Sequence, residues 1–123
     1  MTNGKLLYVA GPYRSKKGMW GVHQNIHKAK EIAQELWSMG YAVICPHANT
    51  AFMDGTDIPD HHFLAGDLLM VRKCDGVVMA PDWQESEGAT AEKKYAENLA
   101  IPTFRWDDYG DRKRVERWSK EIA

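Results

Sequence analysis

A chain of 123 residues, 44% hydrophobic and 27% charged, has room for one domain built on a single core. Its formal net charge of -1 argues against polymeric nucleic acid as the main partner, because such binding rests on a basic face that neutralises phosphates. No apolar run approaches the roughly 18 residues that span a membrane, and the first residues lack the apolar segment of a secretory signal, so a cytoplasmic protein is expected.

Leu6 to Ala10 is an unbroken apolar run, the pattern of a strand covered on both faces, and Gly11-Pro12 ends it. The loop from Tyr13 to Gly21 carries Arg14, Lys16 and Lys17 but lacks the Gly-x-x-x-x-Gly-Lys-Ser/Thr pattern of a Walker loop. Val22, Ile26, Ala29, Ala33 and Leu36 fall on one helical stripe, closed by Gly40 at a typical C-terminal position. Tyr41 to Cys45 reads as the second strand, stopped by Pro46. From Pro46 to His62 runs a long polar segment containing His47, Asn49, Asp54, Gly55, Asp57, Asp60 and His61. Segments of this length in compact domains are often lids or binding loops. The histidines and aspartates in it have no metal-ligand spacing, so they are expected to be solvated and no metal is assigned.

From Phe63 to Lys73 the pattern is helical again, and Leu64, Asp67, Leu68 and Val71 share its stripe. Val77 to Ala80 forms another buried strand, ended by Pro81, and a polar loop runs from Asp82 to Glu87. From Gly88 the period is helical, with Ala89, Glu92, Ala96 and Leu99 on one stripe. Each of these two apolar stripes therefore contains a carboxylate. Taken singly, Glu92 is a buried residue paired with a cation, and Asp67 serves a helix end or a salt bridge. Taken together, they sit on the helices before and after one strand of a parallel sheet, and such sheets hold ligands beyond the carboxyl ends of their strands. Paired carboxylates are the usual equipment for breaking a glycosidic bond, one as nucleophile and one for proton transfer or positioning. Ser86 and the amides around Gly88 lie at the positive end of the second helix, which suits an anion.

Pro102 to Trp106 reads as a further strand, and Arg112 to Ile122 as a terminal helix whose basic residues form a solvated face. Cys45 and Cys74 have no partner-like spacing and read as small buried residues of a reducing compartment. Residues 1–123 show no repeat or linker. The alternation of strand and helix predicts a single α/β domain, a three-layer sandwich around a parallel sheet of four or five strands.

The succession Ala10-Gly11-Pro12-Tyr13-Arg14, Gly66-Asp67-Leu68, Cys74-Asp75-Gly76-Val77-Val78 and Ser86-x-Gly88-x-x-x-Glu92 resembles the nucleoside 2-deoxyribosyltransferase-like superfamily, over roughly residues 5 to 106. The stretch from Asp82 to Ala89 is similar to that of the small bacterial and phage branches. The resemblance implies a flavodoxin-like, Rossmann-like fold and cleavage of an N-glycosidic bond without a cofactor. Glu92 matches the catalytic glutamate that attacks the anomeric carbon, and Asp67 the aspartate that assists departure of the base or orients the sugar. Gly11, Tyr13, Arg14, Trp83, Ser86 and Gly88 are the expected substrate-binding residues. Trp83 either stacks on a base or covers the strand end. Ser86 stands where the nucleoside transferases carry an acidic residue and the nucleotide-cleaving branch a serine. Arg14 matches the position from which that branch supplies a cation to the phosphate. The plainer readings are a helix cap for Ser86 and a solvated loop charge for Arg14.

The expected function is thus that of an N-glycosidase acting on a (deoxy)nucleoside 5'-monophosphate. A deoxyribosyltransferase on free nucleosides and a non-catalytic nucleotide or ADP-ribose binding module are the alternatives. The resemblance also implies a homo-oligomer, dimer or larger, whose neighbouring subunit completes the pocket with a residue that has no identified counterpart here.

Overall fold

The computed structural model describes residues 1–49 and 57–121. Its strands, β1 (Leu6–Ala10), β2 (Ala42–Ile44), β3 (Gly76–Met79) and β4 (Thr103–Arg105), form one parallel sheet in the order β2-β1-β3-β4. Leu7 stands opposite Val43 on one side and Gly76 on the other, and Val78 opposite Phe104. The helices are α1 (Gly18–Ser38), α2 (Pro46–Asn49), α3 (Asp60–Lys73), α4 (Glu87–Asn98) and α5 (Tyr109–Ser119).

Successive strand residues point to opposite faces, so each strand feeds two cores. On one face Leu7, Val9, Val78 and Phe104 pack against Ala29, Ile32 and Leu36 of α1 and Val115 of α5. On the other, Tyr8, Ala10, Val77 and Met79 pack against Val71 of α3 and Ala89 and Ala96 of α4. Helices on both faces of a parallel sheet make this a flavodoxin-like α/β fold, and the double burial is why the strand sequences are unbroken apolar runs. Cys45 and Cys74 belong to cores on opposite faces, and neither is in a disulfide. Among the described residues no helix is long and apolar enough to cross a membrane.

Several boundaries differ from those expected from apolar pattern, which marks only the turns that touch the core. α1 begins at Gly18, α3 at Asp60 and α5 at Tyr109, each ahead of its first stripe residue. The start of α5 is set by Asp108, whose carboxylate accepts from the Asp111 amide at 2.9 Å. Leu99, expected on the buried stripe of α4, is instead its C-terminal cap and 42% exposed; the chain then turns through a left-handed Ala100 (φ 58°). Gly40 ends α1 at φ +100°, as its position predicts. Pro46, expected only to stop a strand, opens the short helix α2 within the expected loop. Asp54, Gly55 and Ile122 lie outside the described residues.

Candidate active site

β1 lies between β2 and β3, so chain segments leave the sheet in opposite directions on either side of it and a crevice opens beyond the ends of β1 and β3. A cavity of about 800 Å³ occupies that crevice, within the range of small-molecule sites. Its walls come from the loop after β1, the start of α2, α3, and the turn leading into α4. The strand ends are drawn together there: the Ala80 amide donates to the Ala10 carbonyl at 2.7 Å. A Cβ on Gly11 would stand 2.6 Å from that of Ala80, so only glycine permits this approach.

Gly11, Tyr13, Arg14, Asp67, Ser86 and Gly88 all line the cavity. Each owes its place to local backbone. After β3, Asp82 turns the chain at φ 66°, a 3₁₀ turn spans Trp83–Glu85, and Ser86 caps α4 by accepting from the Ala89 amide at 3.1 Å. A hydroxyl that accepts in this way still carries a hydrogen it can donate. Arg14 is not a free loop charge, since its guanidinium donates to Asp60 Oδ2 at 2.6 Å.

Glu92 does not itself line the cavity and is only 5% exposed. It follows Gly88, which does, by one turn of α4. Helical side chains lean toward the N-terminus, which turns Glu92 toward the Gly88 end of α4. Glu92 forms no ion pair with any described residue, which removes the plain reading of a cation-paired carboxylate. Among the described residues its Oε2 has no hydrogen-bond partner, nor has the hydroxyl of Tyr8, a fully buried β1 residue facing the same helix. The two groups are nonetheless near enough to act on each other. Burial pushes Glu92 up to about 8; the Tyr8 hydroxyl pulls the other way, and the charge of Asp67 adds to the rise. Burial likewise pushes Asp67 up to about 6. Tyr8 is held far above its usual range, first by burial and then by the Glu92 and Asp67 charges. Two neighbouring carboxyl groups whose affinities for a proton are spread in this way hold one proton between them across neutral pH, for most of the time on Glu92, and so offer a carboxylate and a carboxylic acid in one site.

Two expectations change here. His47, read as a solvated loop residue, is buried at 4% exposure and lines the cavity. Its Nε2 is 2.8 Å from the Pro12 carbonyl, which makes Nε2–H the donor; burial lowers its pKa, and Nδ1 is buried without a partner among the described residues. Trp83 does not line the cavity. It packs with the α3/α4 core and covers the end of β3, under the Lys93 ammonium at 5.2 Å and the Arg105 guanidinium at 5.9 Å. Tyr8 had no separate signal beyond a lone polar tip in an apolar strand, and His47 none beyond following a proline. Among the described residues no group of three or more His, Cys, Asp or Glu side chains is arranged to hold a metal ion.

The chain matches the model of a family described as a domain of unknown function, DUF4406, over residues 5–104. A comparison with curated proteins finds no match. Among solved structures it is similar to a 2-deoxyribosyltransferase from the psychrotolerant bacterium Bacillus psychrosaccharolyticus, with a TM-score of 0.58 at 17% identity over 81% of this chain and 70% of that one. It is also similar to a conserved protein from Enterococcus faecalis V583, with a TM-score of 0.60 at 18% identity over 95% of this chain and 76% of that one. At these identities the likeness is one of fold.

Proposed function

The chain belongs to the DUF4406 family, within the nucleoside 2-deoxyribosyltransferase-like superfamily, and from that premise we propose that it cleaves the N-glycosidic bond of a (deoxy)nucleoside 5'-monophosphate. The observation that carries the reading is the Glu92 carboxyl, buried without a cation among the described residues and close enough to Tyr8 and Asp67 for them to act on it. A buried carboxylate with no counter-charge is costly, and that cost is relieved when a cationic centre arrives. The oxocarbenium-like anomeric carbon of a departing nucleotide is such a centre.

In this reading a Glu92 carboxylate oxygen attacks the anomeric carbon as the bond to the base breaks, and the bonding pair leaves with the base. Asp67 delivers a proton to the departing nitrogen. Water then attacks the sugar ester, Asp67 takes the proton, and Glu92 leaves as carboxylate, giving free base and sugar 5-phosphate. A second base in place of water would give transfer.

The Ser86 hydroxyl, the first amides of α4 and Arg14 form the phosphate end of the site. Glu85 and Glu87 also line the cavity, but both are exposed, so solvent screens their repulsion. The reading takes the protein as a homo-oligomer; Met19, Trp20 and Leu69 are large exposed apolar side chains that a neighbouring subunit would cover.

The test compares kcat/KM for a deoxynucleoside 5'-monophosphate with that for its nucleoside. We expect the nucleotide to be favoured by about 100-fold or more, and Arg14→Ala to raise KM for the nucleotide by about tenfold while moving that for the nucleoside by less than about twofold. Equal kcat/KM for the two substrates would overturn the phosphate assignment.

A further inference from the structure

Arg14 and Asp60 meet at 2.6 Å across the mouth of the cavity, one on the loop after β1 and the other the first residue of α3, and both line it. Their side chains are 72% and 77% exposed, and an ion pair so open to water is weak and easily exchanged. Arg14 is therefore held in place but not locked.

The contact is made through one carboxylate oxygen, Oδ2. A phosphate dianion carries more charge and can meet the guanidinium with two oxygens at once, so it has the advantage over Asp60. Asp60 loses little in the exchange. It lies in the first turn of α3, where the positive end of the helix favours a carboxylate, and the residue before it, Pro59, gives that end no side-chain cap.

We infer that Asp60 is a specificity-determining residue that occupies Arg14 as an internal substitute for the substrate's phosphate, so that a ligand gains the guanidinium only by bringing a stronger anion. The inference rests on the reading of Arg14 as the phosphate-binding cation. A nucleoside, with only hydroxyls at that end, cannot displace Asp60 and gains nothing from Arg14. A phosphorylated ligand displaces it at a modest loss of affinity, and that loss is what a variant at Asp60 recovers.

The test is calorimetric titration with inorganic phosphate, 2-deoxyribose 5-phosphate and 2-deoxyribose, none of which has a base to release. The proteins are wild type, Asp60→Asn, Asp60→Glu, Arg14→Ala and the double variant Asp60→Asn/Arg14→Ala. Asp60→Asn should tighten both phosphate ligands by about threefold to fivefold, the ceiling an exposed ion pair sets. Asp60→Glu, which keeps the competing charge, should stay near wild type. In the Arg14→Ala background the change at Asp60 should fall below about 1.5-fold, because there is no longer a guanidinium to release. Equal tightening in that background would make Asp60 a general repulsive charge and overturn the inference, as would no tightening in a wild-type background. Wild-type protein that binds 2-deoxyribose 5-phosphate no better than 2-deoxyribose would overturn the phosphate site itself, and the role of Asp60 with it. Melting temperatures of all five proteins separate these results from loss of fold.

Discussion

Glu92→Gln is expected to slow base release from a deoxynucleoside 5'-monophosphate by about 10,000-fold or more while the protein stays folded, because the amide keeps the shape of the side chain but cannot form the sugar ester. The same variant should be more stable than wild type. Glu92 has its pKa raised to about 8 in the folded protein, so its protonated form favours folding, and that contribution is complete at low pH and lost as pH rises through about 8. At pH 9 the wild type must keep a buried carboxylate with no cation beside it, whereas the glutamine carries no charge. Thermal melts should therefore show a gap in Tm on the order of 5 °C or more at pH 9, narrowing toward pH 5. A variant that turns over within tenfold of wild type would remove Glu92 from the chemistry. A variant less stable than wild type at pH 9 would mean that the carboxylate has a stabilising partner after all.

Asp67→Asn should lower kcat by about 100-fold or more and change the shape of the pH profile. The active form of the pair holds one proton, with Glu92 ionised and Asp67 protonated; because burial raises Glu92 further than Asp67, this is the minority arrangement of the one-proton state, in rapid exchange with the majority one. The wild-type rate is thus expected to rise as pH passes about 6 and to fall as it passes about 8, the values to which burial raises the two groups. Without the Asp67 carboxyl no proton donor is lost on the alkaline side, so that fall should vanish. Glu92, freed from a neighbouring negative charge that raises its pKa, should ionise at lower pH. Rates of base release measured from pH 5 to 9 check both features. A variant with altered Tm but an unchanged rate and profile would make Asp67 a helix residue with no part in the reaction.

The two carboxylates were legible in the sequence because burial leaves a period. Ala89, Glu92 and Ala96 recur at helical spacing where α4 lies on the sheet, and a carboxylate among alanines stands out. Leu99 continued the same spacing and was misleading, since a helix ends where the backbone turns and not where the pattern stops. Tyr8 was hidden for the opposite reason: a strand buried on both faces has no alternation to show which residue faces α4. His47 had no local signal at all. Its burial depends on the Pro12 carbonyl, 35 residues away in sequence, and a polar residue in a polar segment reads as solvated until that contact is known. Trp83 shows the limit of residue type as a guide, because an aromatic beside a site suits stacking on a base and sealing a strand end equally well, and only its packing against the α3/α4 core separates the two.

The most direct measurement incubates the wild-type protein with a panel of ribo- and deoxyribonucleoside 5'-monophosphates and their nucleosides, with and without a second free base, and separates the products. The account predicts free base and sugar 5-phosphate in equal amounts from at least one nucleotide, with no exchanged base when a second base is added. A nucleotide that binds tightly and releases no base over hours would contradict it in favour of a binding module, and base exchange on free nucleosides would contradict it in favour of a transferase.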